Sequence, residues 1–294
     1  MITGSSTGIG LETALHFAQQ GYRVFAAARK PEMVPPDPNV VPVALDVDSD
    51  DSVRECVARV LDECAIDVLV NNAGIGHAGA VEMIPLEHVR RMFETNFFGA
   101  VRMMQAVLPS MRARRSGTVV NVTSILGHMT LGCHGFYAAT KHALAAVSEA
   151  LAMEIKPFGV RVAIVEPGVI LTPIWSKGER LMPEDHPYRQ AEARLFQLFR
   201  AQMDGGTKPD VVARAIYQAV SEGAVKLRYP VGADADVIVA ARDRMSAADW
   251  ASLLTEEDDE KFLAGAEEAF GIDLYHPPSL NARNVTVRGI LQGR

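Results

Sequence analysis

Three cysteines, Cys56, Cys64 and Cys133, are all that 294 residues contain, and none stands in a C-x-x-C pair. So sparse a set cannot build a disulfide framework, and it points to a reducing, cytoplasmic setting with no metal site. Runs of basic residues are also missing, and 29 basic against 36 acidic side chains leave a formal net charge of -7. Such a chain has no general attraction to nucleic acid or to anionic lipid. There is no heptad pattern and no repeat at a period of roughly 20–50 residues. The opening Met1-Ile2-Thr3-Gly4-Ser5-Ser6 has neither a charged leader nor an apolar stretch of the kind a signal peptide carries. The segment 116–140 lacks Asp, Glu, Lys and Arg altogether, yet it holds Asn121, His128, His134 and four glycines. That composition is poor for lipid contact and suits a buried strand leading into a polar, water-excluded site. No membrane span is expected.

What is present is an alternation of short apolar strands and longer amphipathic helices. Leu11, Ala14, Leu15 and Ala18 recur at helical spacing and stop at Gly21. Val24–Ala28, Val40–Leu45, Val68–Val70, Thr118–Thr123, Val160–Val165 and Leu227–Val231 read as buried strands. Between them, Ser49 or Asp50 caps a helix towards Cys64, and an amphipathic helix runs through Val89 and on to Arg114. A further helix spans Phe136–Lys156, closed by Pro157 and Gly159. Pro31, Pro35, Pro36 and Pro38 make their stretch a loop, because a proline nitrogen donates no hydrogen bond. The pattern predicts an α/β fold, a doubly wound parallel sheet with helices on both faces. One domain is expected over 1–254, with an apolar insertion at about 171–206, and a surface tail over 255–294 that contains the acidic run at Glu256 and the Pro277-Pro278 pair.

In an open parallel sheet, ligands bind beyond the carboxyl ends of the strands, and the unusual residues fall there. Gly4, Gly8 and Gly10 follow the first strand, Asp46 the third, Asn71-Asn72-Ala73-Gly74 the fourth, Ser124 the fifth and Pro167-Gly168 the sixth. A glycine turn leading into a helix lets a pyrophosphate approach backbone N–H groups, although a tight ligand-free connection has the same spacing. Asn96 lies on the apolar stripe of Val89, Met92, Phe93, Ala100 and Met103, so its amide points inward. The bland reading of such a residue is a core asparagine bonded to a backbone group. Tyr137 and Lys141 are one helical turn apart and side by side. A tyrosine must lose about 4 kcal/mol of proton affinity to ionise at neutral pH, and a neighbouring ammonium is one means of achieving it.

Together these residues resemble the short-chain dehydrogenase/reductase family, in its single-domain branch with a T-G-x-x-x-G-x-G turn and a Y-x-x-x-K pair. The likeness runs from Met1 to about Gly232. It implies a Rossmann-like fold and hydride transfer between a nicotinamide and a carbonyl or alcohol. By that resemblance Tyr137 is the general acid/base, Ser124 orients the substrate oxygen, and Asn96 keeps a water in the proton relay. Lys141 holds the nicotinamide ribose and lowers the tyrosine pKa. Thr3, Gly4, Ser6, Gly8, Ile9 and Gly10 would form the phosphate turn, and Asp46 and Val47 would meet the adenine. Asn72, Ala73 and Gly74 would line the cleft, and Pro167, Gly168 and Thr172 would hold the carboxamide.

Relatives that use NAD carry an acid at the end of the second strand. Here Ala28 and Arg29 occupy that place, with Lys30 beside them, so NADP(H) is expected to be preferred over NAD(H). A charge-assisted bond to the 2′-phosphate is worth about 1.5–3 kcal/mol. The insertion and the segment Arg228-Tyr229-Pro230-Val231-Gly232 look like members that act on lipophilic carbonyls such as steroids or retinoids, with a fatty chain as a further possibility. The insertion's apolar face, which includes Trp175, Leu195, Phe199 and Met203, would be a lid over such a substrate or a helix pair packed on the core. The family's habit of pairing through two long helices implies a homodimer or homotetramer. Two features depart from the family pattern: only Met1 and Ile2 precede Thr3, and the proline-rich run replaces a helix beside the adenine site. A non-catalytic dinucleotide sensor or a truncated, inactive relative would share the glycine turn, but a sensor has no need of Ser124, Tyr137 and Lys141 together.

Overall fold

The computed structural model describes residues 1–175, 181–203, 206–232 and 234–271. The Pro277-Pro278 pair and the side chains of Trp175 and Met203 lie outside the described residues. Seven parallel strands form one sheet in the order β3-β2-β1-β4-β5-β6-β7. They are β1 (Ile2–Thr3), β2 (Val24–Ala28), β3 (Val40–Ala44), β4 (Val68–Asn71), β5 (Gly117–Val122), β6 (Val160–Pro167) and β7 (Arg228–Val231). The helices are α1 (Gly8–Gln19), α2 (Asp50–Glu63), α3 (Leu86–Phe93), α4 (Gly99–Arg114), α5 (Gly135–Ile155), α6 (Arg189–Met203) and α7 (Pro209–Ser221), then α8 (Ala235–Arg244), α9 (Ala247–Thr255) and α10 (Asp259–Phe270). The expected doubly wound sheet is what forms.

Alternation along each strand divides the core between the two faces of the sheet. Leu69 and Val119 pack on one side with Met103, Met111 and Leu144. Their neighbours Val70 and Val120 pack on the other side with Phe17, Val212 and Ile216. Pro42 is tolerated in β3 because that strand is the sheet edge, where a missing donor costs no ladder bond. The proline-rich stretch is a loop except for one 3₁₀ turn at Pro31–Met33.

The short β1 lies in the middle of the sheet. Ile2 and Thr3 pair with Ala26 and Ala27 of β2, and Ile2 pairs with Val70 of β4. Flanking residues extend this ladder: Val70 N–H donates to the Met1 carbonyl at 2.9 Å, and Ser5 N–H to the Ala27 carbonyl at 3.1 Å. The strand order reverses between β1 and β4, which opens the crevice where ligands bind in such sheets.

The expected surface tail is corrected over 259–270. Helix α10 buries Phe262, Ala266 and Phe270 in a third cluster with Trp250, Leu126 and Met129. Those three positions are spaced four apart, so one face of the helix is apolar; the acidic run in front of it disguises the pattern. The run itself is a solvated helix start: Asp258 caps α10 by accepting the N–H groups of Glu260 and Lys261. Arg194 of α6 pairs with Asp259 at 3.1 Å and lies over the Phe262 ring, joining the insertion to this helix. Phe262→Ala is expected to lower the unfolding free energy by about 3–5 kcal/mol, the cost of emptying a buried aromatic site. Urea denaturation would read this loss, whereas truncation in a surface tail would leave the midpoint unmoved.

Candidate active site

The glycine turn and the end of β4 interlock. The Thr3 hydroxyl accepts the N–H groups of Asn72 and Ala73 at 3.0 and 3.1 Å. The Asn72 amide donates back to the Thr3 and Gly4 carbonyls at 3.0 and 3.3 Å. Gly4 and Gly8 have φ of +70° and +60°, the left-handed region that favours glycine. Gly10 is required by packing, since a Cβ there would lie 2.4 Å from the Asn72 amide nitrogen and 2.5 Å from the Gly4 carbonyl oxygen. Thr3 and Gly10 therefore shape the turn from behind and do not line the crevice, unlike the expectation for both. The first turn of α1 contains no acidic side chain, so its positive end faces the crevice unneutralised.

The helix expected to run unbroken from Val89 to Arg114 is interrupted by a π-helical turn at Glu94–Phe98, and Asn96 sits in it. The interruption turns Asn96 towards the chain after β4. Its Oδ1 accepts Ile75 N–H at 2.8 Å, while its Nδ2 donates to the Ile75 carbonyl at 2.9 Å and to Thr140 Oγ1 at 3.0 Å. Thr140 in turn donates to the Tyr137 carbonyl at 2.7 Å. Asn96 is 1% exposed and is not on the crevice wall, so its amide acts here as a brace between Ile75 and α5. The bland sequence reading, an asparagine satisfied by backbone, describes its contacts.

Helix α5 carries Tyr137 and Lys141 into the crevice opposite Ser124. A buried chain of side chains sets its height: Asn71 donates to Asn121 at 2.8 Å, and Asn121 donates to Ser148 of α5 at 2.7 Å. Ser124 hydrogen-bonds the Tyr137 phenol, but burial dominates and pushes the phenol up to about 12. Burial also lowers the Lys141 ammonium to about 8. That ammonium donates to the Val122 carbonyl at 3.0 Å and lies 5.6 Å from the centre of the Tyr137 ring. The expected depression of the tyrosine by the lysine is not seen in this arrangement, where burial raises the phenol against the Ser124 hydrogen bond and keeps it protonated at neutral pH. His134, which burial brings down to about 4, packs edge-on against Tyr137 at 5.0 Å.

These groups open into one cavity of about 930 Å³. Among the residues expected at the site, only Thr3, Gly10 and Asn96 are absent from its wall. At one end lie Arg29, Asp46 and Val47, with Arg29 exposed. Asp48, which sequence reasoning passed over, joins them: its carboxylate accepts the Thr95 hydroxyl at 3.0 Å, and burial raises its pKa despite that bond. At the centre, Pro167, Gly168 and Thr172 face the glycine turn, and a Cβ on Gly8 would come within 3.3 Å of Thr172. A second missed residue, Asp234, holds this segment by accepting Val169 N–H at 2.8 Å. A Cβ on Gly168 would lie 2.2 Å from the Asp234 carboxylate, so that glycine makes room for it. The far end of the cavity is apolar, with Leu126, Met129, Leu198, Ile238, Trp250 and Phe270 on its wall.

The family model for short chain dehydrogenase matches residues 1–181. The chain belongs to the short-chain dehydrogenase family. It is 36% identical over 246 residues to a 3-ketodihydrosphingosine reductase of Bacteroides thetaiotaomicron, covering 82% of this chain and 90% of that one. It is 39% identical over 184 residues to human retinol dehydrogenase 8, covering 58% of each. Among solved structures, a short-chain dehydrogenase from Streptomyces avermitilis superposes with a TM-score of 0.76 at 34% identity, covering 87% of this chain and 97% of that one. A Burkholderia cenocepacia short chain dehydrogenase in complex with NADP superposes with a TM-score of 0.70 at 27% identity, covering 86% and 95%.

As a short-chain dehydrogenase the chain is an oxidoreductase of the CH–OH class. Among the described residues, no helix is long and apolar enough to cross a membrane. Asp48 and Asp234 escaped the sequence reading because each acts through a backbone or hydroxyl partner far away in the chain. Phe270 escaped it because its segment read as a surface tail, and Trp250, inside the expected domain, carries no local signal that places it at the site. The buried lysine has a consequence for stability. Between about pH 8 and the ordinary lysine value of 10.5 the unfolded chain binds more protons than the folded one. Lys141 therefore makes unfolding free energy rise with pH across that window. Lys141→Met is expected to abolish its share of the rise, read as a smaller difference between urea midpoints at the two ends of the window.

Proposed function

We propose that this short-chain dehydrogenase reduces a lipophilic ketone or aldehyde with NADPH. The observation that carries the reading is a single cavity with the glycine turn and Arg29 towards one end, Ser124 and Tyr137 in the middle, and an apolar wall beyond them. The residues present fit a dinucleotide. Gly8 leaves room between the turn and Thr172, and Gly76 leaves the face of Tyr137 clear, since a Cβ there would touch the ring at 3.4 Å. Gly4, Ser6, Gly8 and Ile9 would hold the pyrophosphate, and Arg29 and Lys30 the 2′-phosphate. Asp46 and Val47 would border the adenine. Asn72, Ala73 and Gly74 would form the floor, Lys141 would bind ribose hydroxyls, and Pro167, Gly168 and Thr172 would hold the carboxamide.

When bound, the reduced dinucleotide supplies a hydride. The chain's own contribution is to orient the substrate oxygen between Ser124 and Tyr137 and to give it a proton. Burial keeps the Tyr137 phenol protonated at neutral pH, so it has a proton to give to the substrate oxygen. Lys141, turned from the Val122 carbonyl towards ribose hydroxyls, would bring its charge to the phenol oxygen and ease that transfer. The names of two relatives, a 3-ketodihydrosphingosine reductase and a retinol dehydrogenase, accord with a lipophilic substrate. Phe98 and Met153, 46% and 73% exposed near α4 and on α5, support pairing through those helices into a homodimer or homotetramer.

The test is a fluorescence titration with NADPH and NADH beside steady-state kinetics on a lipophilic ketone. Arg29→Ala is expected to weaken NADPH roughly tenfold to hundredfold, from the loss of one charge-assisted bond, and to leave NADH unchanged. An unaltered NADPH/NADH ratio would overturn the cofactor assignment. Tyr137→Phe is expected to lower kcat by about 10²–10⁴-fold, the usual worth of a general acid, with NADPH affinity retained.

A further inference from the structure

The apolar end of the cavity is assembled from distant parts of the chain. Leu198 comes from α6, Ile238 from α8, Trp250 from α9 and Phe270 from α10, facing Leu126 and Met129 in the segment after Ser124. All six belong to one hydrophobic cluster that also contains Tyr137, so the wall is continuous with the reacting phenol. The four helical residues lie beyond the segment 1–181 matched by the family model, whereas Leu126 and Met129 lie within it. Trp250 and Phe270 both border the cavity and are only 5% and 2% exposed, so little of either ring is open to solvent. Their rings meet edge to face at 5.5 Å.

Trp250 is fixed on more than one side. Its indole N–H donates to the Thr130 carbonyl at 2.9 Å, and the Arg242 guanidinium lies 5.7 Å from the centre of its ring. The indole N–H is the only donor among the six side chains and it is engaged, and the Met129 thioether is at most a weak acceptor. A substrate portion resting on these six side chains therefore meets mainly hydrocarbon and aromatic carbon and finds no free donor and no strong acceptor among them to satisfy a hydroxyl.

We propose that Trp250 and Phe270 form the closed end of a hydrocarbon chamber and set how long an apolar chain this enzyme accepts beyond the carbonyl. The proposal rests on the reading of the site as a reductase of lipophilic ketones, and it adds the residues that impose the length limit. Each methylene that enters such a chamber adds about fourfold to kcat/KM, until the chain meets the end wall and the gain stops.

The experiment is a series of straight-chain 2-ketones of increasing length, with kcat/KM measured under saturating NADPH. Wild type is expected to rise by about fourfold per methylene and then to break. Phe270→Ala and Trp250→Ala are expected to move the break to longer ketones, and Ile238→Trp, which fills the chamber, to shorter ones. NADPH affinity by fluorescence is expected to stay within twofold of wild type in all three. Truncating Trp250 also releases Thr130 and costs stability, so Phe270→Ala and Ile238→Trp decide the question without it. A break that stays in place in both, with the wild-type rise intact, overturns the end wall and leaves the lipophilic reading standing. A flat wild-type series with NADPH still bound overturns the lipophilic reading, and the chamber falls with it. A ketone carrying a terminal hydroxyl is expected to lose up to about a hundredfold against its methyl-ended isostere; equal rates would show that the chain end does not reach an apolar wall.

Discussion

The Thr3 hydroxyl is the point on which the active crevice depends. It accepts two backbone N–H groups from the turn after β4, and the Asn72 side chain returns two bonds to the turn after β1. Those turns lie on either side of the reversal in strand order, where the sheet leaves a gap. Joining them closes the gap to a slot of defined width. Gly10 and Gly4 follow from this, because the interlock brings backbone too close for a Cβ at either position. The glycines commonly read as phosphate contacts thus differ in role: Gly8 faces the crevice, Gly10 permits the packing that forms it, and Gly4 does both.

Burial then sets the chemistry. Two titratable groups on one turn of α5 are moved in opposite senses by the same cause, the phenol up and the ammonium down. Both shifts favour the neutral form. The Tyr137–Lys141 pair is consequently held as a protonated acid beside a cation of reduced basicity. Neighbouring residues add constraint without charge. His134 packs on Tyr137, Thr140 ties its carbonyl to Asn96, and Asn96 ties that assembly to Ile75. The π turn is what lets one buried amide satisfy the Ile75 N–H and carbonyl and the Thr140 hydroxyl together.

The carboxyl-terminal helices are joined to the crevice rather than appended to it. Asp234, at the start of α8, holds Val169 directly after the Pro167-Gly168 turn. Trp250 is bonded to the segment that follows Ser124, and Arg194 and Asp259 link the insertion to α10. Contacts from this half of the chain therefore reach both the segment expected at the carboxamide and the apolar wall.

The sequence by itself determined the doubly wound sheet, because alternation and helical periodicity are local properties that survive without knowledge of neighbours. It also determined the crevice: Gly4, Ser124, Tyr137, Lys141 and Thr172 fall at strand ends or one helical turn apart, and an open parallel sheet gathers its strand ends on one edge. Only the tertiary structure decided the rest. Whether Thr3 and Asn96 face the crevice or brace it depends on partners about 70 and 21 residues away, a separation no local pattern encodes. The desolvation that raises Tyr137 is hidden for the same reason: Lys141 is visible as its neighbour in the sequence, but burial of the phenol is a property of the folded crevice. Helix α10 read as surface because charge dominates its start, and its apolar face acquires meaning only against Trp250 and the segment after Ser124. Periodicity shows which side chains share a face, but what that face meets is settled by the rest of the chain folding onto it.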